Sequence, residues 1–524
     1  MTRPVAVDAP DSSGLSANDT DVLIVGAGPT GLTLACELAR LNIRLRIIEA
    51  SSEPQKGSRG KGIQPRTLEV FDNLGIVERV IAHGRMAMPM WSTDGKGDST
   101  RRGGQVPPPK PDVPYGASLI TPEWRIEESL REKLATWGVE VEFGARLVSF
   151  EQSQDVVSAT VTLGEGQTVL SARWLIGCDG GHSLVRKQAG VDFAGETLED
   201  IRMIVADVTA DGIGRDAWHV WSHAEGMVAL CPLPSTGEFQ FQAGIAPGQD
   251  SELSLRNLQN ILERRAARKD IKLHAPSWSS LWRANVRIVD RYRVGRVLVA
   301  GDAAHIHSPA GGQGMNTGIQ DAHNLGWKLA AVLKGAAPAL IDTYQEERLP
   351  VAASVLGLSN ELMRKVMATH SFGAARDDGR TLQLGVGYRA SSLSRDDRSE
   401  TAGLRAGDRA PDATGLVTQV GATRLFELLR GAHFTLLVFG ETPDLTDIRS
   451  RLPWLDLRTL RIVGDLHGPD DVIDSEGHLA DAYQPQPGSL VLIRPDGYVG
   501  MIADRGGREA LEAFLMQAFS ARVS

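Results

Sequence analysis

Cysteine is scarce in this 524-residue chain: Cys36, Cys178 and Cys231 stand far apart, and no C-x-x-C pair or metal-ligand spacing occurs. A disulfide framework, a redox disulfide and a bound metal are therefore not expected, and a reducing cytoplasm is the expected location. No apolar run approaches ~18 residues, so no membrane-spanning helix is expected. Positive charge is not in surplus, since 56 Lys and Arg face 65 Asp and Glu. Without a basic stripe there is no nucleic-acid footprint. The opening MTRPVAVDAPDSSGLSANDT lacks the apolar core of a signal peptide, and residues 1–20 are expected to form a disordered arm. A second G-x-G-x-x-G behind a strand is missing too, so a nicotinamide cofactor has no domain of its own.

What is present begins with Asp21–Ala50. A buried strand (Val22 to Val25) runs into Gly26-x-Gly28-x-x-Gly31, then a helix (Leu32 to Leu41) and a second strand ending at Glu49. Gly26 makes the tight turn, Gly28 lets a pyrophosphate approach the backbone, and Gly31 lets helix and strand pack closely. A carboxylate at Glu49 is placed for ribose hydroxyls, and a bound dinucleotide is expected here. A later stretch, Arg296 to Leu329, repeats the grammar. The apolar run Val297–Ala300 leads into Gly301-Asp302, then a loop with Gly311, Gly312 and Gly314. From Met315 apolar residues recur at helical spacing (Ile319, Ala322, Leu325, Leu329). A helix starting near Gly314 would aim its partial positive charge at the loop, which suits an anionic ring edge.

A third corner, Trp174-Leu175-Ile176-Gly177-Cys178-Asp179-Gly180 through Arg186, has Ser183 placed to cap a helix. Together, GAGPTG with Glu49, Cys178-Asp179-Gly180 with Arg186, and Gly301-Asp302-Ala303-Ala304-His305 resemble the single-component FAD-dependent aromatic hydroxylases over residues ~21 to ~370. The resemblance implies that the middle motif serves both FAD and NAD(P)H, and that Asp302 contacts the ribityl chain. Glu123 stands where the family has glutamine, whereas Arg125 matches. The candidate cofactor contacts are Gly26, Gly28, Pro29, Thr30, Gly31, Glu49, Arg59, Arg125, Val148, Asp179, Gly180, Gly301, Asp302, Pro309, Gly312, Gly314, Met315 and Asn316. Pro309, Gly312 and Gly314 are the candidates for shaping and polarising the flavin edge. No base is nominated.

From Glu196 to Trp282 short alternating runs (Arg202–Val208, Trp218–Trp221, Met227–Cys231, Phe239–Ala243) predict an antiparallel sheet that could roof the flavin. Trp221, Met227, Leu230 and Phe241 are its candidate substrate contacts. A helix is expected over Val351–Thr369, then a polar linker. Strands at Phe434–Phe439 and Ser489–Ile493, and a closing helix, suggest a thioredoxin-like unit without C-x-x-C, as larger members of the family carry.

The expected fold class is α/β, with a Rossmann-like FAD domain (21–195 and 283–372), a β-sheet substrate domain (196–282), a linker (373–402) and the C-terminal domain (403–524). The resemblance implies an NAD(P)H- and O2-dependent monooxygenase, with FAD bound and NADPH or NADH transient. It would hydroxylate a bulky phenolic, polyketide-type aromatic through a flavin C4a-hydroperoxide, as a monomer or homodimer. Baeyer–Villiger oxygen insertion and a non-catalytic flavin-fold binder are the alternatives, while a missing W-x-W-x-I-P segment disfavours a halogenase.

Overall fold

The computed structural model describes residues 19–246, 248–308, 311–369, 379–398, 403–504 and 507–519. Residues 1–18 of the expected arm, Pro309 and parts of the expected linker lie outside the described residues, while Asp19 and Thr20, expected in the arm, begin the first strand. Strands Val297–Val299, Gly166–Gly177, Asp19–Val25, Leu45–Glu49 and Val141–Phe143 lie side by side in that order. All four pairings are parallel, with Leu175 beside Val297, Ile24 between Ile176 and Ile47, and Ile47 beside Val141. Their near-continuous apolar sequences follow from burial on both faces. Val22, Leu23, Ile24, Leu175, Ile176, Ile47 and Ile48 are all buried. The helix Pro29–Ala39 begins with proline at its first turn and packs on the long helix Gly314–Leu333.

The second sheet has eight strands, including Trp278–Val289, Phe193–Val208, Phe239–Ile245, Val228–Pro232 and Trp218–Trp221. It reaches beyond the expected 196–282 segment. Met90–Thr93 joins it beside Trp218–Trp221 in parallel, followed by Ser99–Arg102, and His305–Ile306 closes the other edge. The helix Leu255–Ala266, capped by Ser254, covers one face. There Leu258, Ile261 and Leu262 pack on Ile204, Trp221, Leu230 and Phe241.

The C-terminal sheet centres on Phe434–Phe439, parallel to Leu457–Ile462 and antiparallel to Ser489–Ile493. This is the thioredoxin-like domain. The expected linker is partly structured: Arg395–Asp397 pairs with Met501–Ala503 as an edge strand. Trp327 of the long helix sits 5.4 Å from the Phe434 ring, so this domain's core is continuous with that helix. The helix expected from Val351 begins instead at Asp342 and runs through Pro350 to Thr369.

Candidate active site

Three chain corners meet at the carboxyl ends of the parallel strands, the position where open α/β sheets bind ligands. Backbone bonds extend the ladder past each strand: Gly26 N donates to Ile48 O, Cys178 N to Val25 O, and Ala300 N to Gly177 O, at 2.8–3.0 Å. Glycines make the approach possible. A Cβ on Gly31 would lie 2.0 Å from Gly26 O, and one on Gly26 (φ +103°) would lie 2.4 Å from Cys178 O. A Cβ on Gly318 would lie 2.4 Å from Thr30 Oγ1. Gly28, in contrast, has open space where its Cβ would be. That opening is where the spacing would have a pyrophosphate approach.

A cavity of about 530 Å³ opens there, within the usual size of a ligand pocket. Gly28, Pro29, Thr30, Arg59, Gly180 and Asp302 line it, as do Gly312, Gly314 and Met315. Gly26, Gly31 and Gly301 shape its floor by close packing. Asn316 ties the glycine loop down: its Nδ2 donates to Gly62 O and Gly312 O, and its Oδ1 accepts from Gln64 N, all at 2.8 Å. The long helix begins at Gly314 with no side-chain cap, so its first N–H groups are available to a ligand. Beside them His307 Nδ1 and Gln313 Oε1 are buried with no hydrogen-bond partner among the described residues. Orphaned polar atoms, an open glycine cradle and an uncapped helix end fit a bound anionic dinucleotide such as FAD.

Several predicted contacts are placed differently. Asp179 spends its carboxylate on its own loop: Oδ1 accepts from Ser183 Oγ at 2.5 Å, and Oδ2 from Leu184 N and Val185 N at 2.7 and 3.1 Å. It therefore positions the turn, and Cys178 and Gly180 are the members of that motif on the cavity wall. Ser183 caps the helix as its position predicts, accepting from Arg186 N at 2.9 Å. Glu49 accepts from Ala27 N at 3.0 Å and from Ser51 N at 2.9 Å, which fixes its carboxylate beside the glycine corner. Arg125 turns away to Glu128 at 2.7 Å and lies over Trp124. Instead Glu123 reaches the cavity, accepting from Gly60 N at 2.5 Å. Val148 is exposed on the strand Ala145–Gln152 and does not line the cavity.

The four predicted substrate contacts are also displaced. Trp221, Leu230 and Phe241 face the covering helix, and Met227 packs beside the cluster around Trp218. The cavity roof is the opposite face of the same sheet: Met203, Val205, Trp218, Gln242, Trp278 and Trp282. Alternation decides this, because residues one apart on a strand point to opposite faces. The period-two run Trp278, Ser280, Trp282 carried the signal.

Electrostatics divide the cavity. Asp302 opens into it yet lies deep in the protein; burial raises its carboxyl above the usual range, with His305 and Arg59 pulling the other way. Burial raises Glu123 similarly and pushes Glu127 up to about 8. Behind the glycine loop runs a buried chain. His307 Nε2 meets His305 Nδ1 at 3.0 Å, and His305 Nε2 meets Asp321 Oδ2 at 2.6 Å. Arg348 Nε donates to Asp321 Oδ1 at 2.7 Å. Burial raises Asp321, but His305 and Arg348 outweigh it and hold the carboxyl low, so Asp321 stays ionised. A carboxylate there accepts from His305 Nε2, which fixes the orientation of that imidazole.

Family models match residues 19–359, as an FAD binding domain, and 404–521, as the C-terminal part of an aromatic-ring hydroxylase. The chain is 44% identical over 505 residues to a flavin-dependent monooxygenase of Mycobacteroides abscessus, covering 94% of this chain and 98% of that one. It is 33% identical over 557 residues to pentachlorophenol 4-monooxygenase of Sphingobium chlorophenolicum, covering 98% and 99%. The solved structure of aklavinone-11 hydroxylase with FAD and aklavinone matches with a TM-score of 0.82 at 26% identity, covering 96% of this chain and 99% of that one.

Proposed function

The chain belongs to the FAD-dependent aromatic-ring hydroxylases and is a flavin-dependent monooxygenase, and from that premise we propose that it hydroxylates a bulky, polycyclic phenol with NAD(P)H as reductant and O2 as oxidant. The observation that carries this reading is one continuous cavity. It runs from the glycine cradle and Asp302 to a roof of Trp218, Trp278 and Trp282. Bound FAD supplies the oxygen activation; the chain supplies orientation and electrostatics.

The backbone at Gly28 and Thr30, with Glu49 behind it, would hold the adenosine diphosphate part, and Asp302 the ribityl hydroxyls. The N–H groups at Gly314 and Met315 would face the electronegative ring edge, where fixed donors favour developing negative charge. The indole rings offer flat apolar walls for fused aromatic rings. Pentachlorophenol 4-monooxygenase and aklavinone-11 hydroxylase are named for phenolic and polycyclic substrates, which supports the class. A cytoplasmic monomer or homodimer fits the three separated cysteines and the described helices, none of which is long and apolar enough to cross a membrane.

The test is NAD(P)H oxidation by the yellow holoenzyme across a phenol library, read by mass spectrometry for a gain of one oxygen. Absence of any oxygenated product with every phenol sinks the proposal, and a lactone or ester product replaces it with ketone oxygenation. Asp302→Ala is expected to keep the fold and lose about tenfold in FAD affinity, about 1.4 kcal/mol, measured as flavin retained on ultrafiltration. Unchanged retention would remove the ribityl role.

A further inference from the structure

Packed against the roof is a cation that the flavin site does not use. Lys61 is only 8% exposed, yet its side chain lines the cavity. Its ammonium lies 4.4 Å from the centre of the Trp218 ring and donates to Gln240 Oε1. Gln240, itself 1% exposed, donates from Nε2 to Ser58 O. Both ends of that amide are thereby fixed, and so is the lysine that rests on it. Ser58 N in turn donates to Asp207 Oδ2 at 2.8 Å, which locks the Lys61 loop to the roof strand.

We propose that Lys61 holds the ionised oxygen of the phenolic substrate and thereby orients the ring beneath Trp218. This rests on the hydroxylase reading and adds the group that selects for an acidic phenol. The argument is one of placement. The cavity's carboxylates, Glu123 and Asp302, sit with Arg59 at the floor, whereas Lys61 is the cation among the described lining residues that packs against the roof, at Trp218 and Gln240. Facing Lys61 from the roof is Asp207, which burial pushes up to about 6; Glu238 bears on Asp207 in turn, and Arg59 lies on the lysine's own loop. A desolvated ammonium favours a phenolate over the neutral phenol, and a phenolate is the more electron-rich ring. The proton released on binding leaves to solvent, so the step needs no further reactant.

The test uses the FAD-loaded protein and alizarin, a polycyclic phenol whose visible absorption moves on ionisation. Bound to the wild type, the dye's ionisation midpoint is expected to fall by at least about one pH unit. Lys61→Met is expected to abolish that fall while keeping its flavin, and Lys61→Arg to restore part of it. An equal midpoint in wild type and Lys61→Met overturns the proposal, as does failure of the wild type to bind the dye. Should Lys61→Met fail to fold, the same midpoint in wild type and Lys61→Gln decides against it. A persistent shift alongside no oxygen insertion into any phenol would sink the hydroxylase reading and leave Lys61 as an anion holder.

Discussion

Glu347→Ala is expected to destabilise the protein by about 3–5 kcal/mol, measured by urea unfolding followed through tryptophan fluorescence. Glu347 lies where three units meet. Its carboxylate accepts from both terminal guanidinium nitrogens of Arg494, at 2.6 and 2.9 Å, and from Lys328 Nζ at 2.6 Å, Asn324 Nδ2 at 2.7 Å and Ser391 Oγ at 2.7 Å. Arg494 also binds Asp496 in the C-terminal hairpin. Side chains of all four charged residues are at most 1% exposed. Two positive and two negative groups balance in a site buried away from solvent screening. Removing Glu347 leaves two buried cations facing one acid.

The two cations are not equivalent. Burial alone would raise Glu347, but Arg494 and Lys328 outweigh it and hold the carboxyl well below the usual range. Burial depresses Lys328 to about 8 despite Glu347, with Arg494 adding to the depression. The bidentate Arg494 is therefore the real partner, and Lys328→Met should cost much less than Glu347→Ala. The pH dependence separates them by sign. Glu347's contribution is full above its unfolded value of about 4.3 and is lost as pH falls through its depressed folded value. Lys328 in the folded protein releases its proton from about 8, before the unfolded chain does near ~10.4, so stability rises across that interval. Lys328→Met should flatten the alkaline rise, and Glu347→Ala the acid fall.

This network was invisible in the sequence, because Arg494 stands 147 residues from Glu347 and Lys328 lies on a different helix from it, so each reads as an ordinary surface charge. The dinucleotide corner was legible for the opposite reason: Gly26, Gly28, Gly31 and Glu49 act within one strand–helix–strand unit, where spacing dictates contact. The start of the long helix at Gly314 was legible from local periodicity in the same way. The roof was half legible. Trp218–Trp221 falls where alternation predicts a strand, but apolar residues occupy both faces, and only the covering helix decides which face is core. Trp221 and Phe241 went to that helix and Trp218 to the cavity. Likewise Glu123 and Arg125 are two apart at the start of the helix Glu123–Ala135. Two residues there mean a turn of about 200°, so one faces the cavity when the other does not.

Gly31→Val is expected to yield protein that retains no FAD, with affinity down at least about 100-fold, or about 2.7 kcal/mol. The first added carbon would lie 2.0 Å from Gly26 O and 3.3 Å from Cys178 Cβ. The nearer obstacle is backbone, pinned by the bond from Gly26 N to Ile48 O, and it has no rotamer to change. Gly318→Ala presses on the same corner from the long helix, but its nearest obstacle is a side chain, Thr30 Oγ1, with Gly301 Cα at 3.1 Å behind it. Overpacking of this kind typically costs about 1–3 kcal/mol, so flavin affinity should fall about tenfold. Thr30→Ala removes the obstructing oxygen and should recover most of that loss in the double variant. No comparable side-chain change can rescue Gly31→Val. Flavin titration of Gly31→Val, of Gly318→Ala and Thr30→Ala singly, and of their double variant reads this directly: wild-type retention by Gly31→Val, or an additive loss in the Gly318→Ala, Thr30→Ala pair, would show that close backbone packing is not what builds the dinucleotide corner.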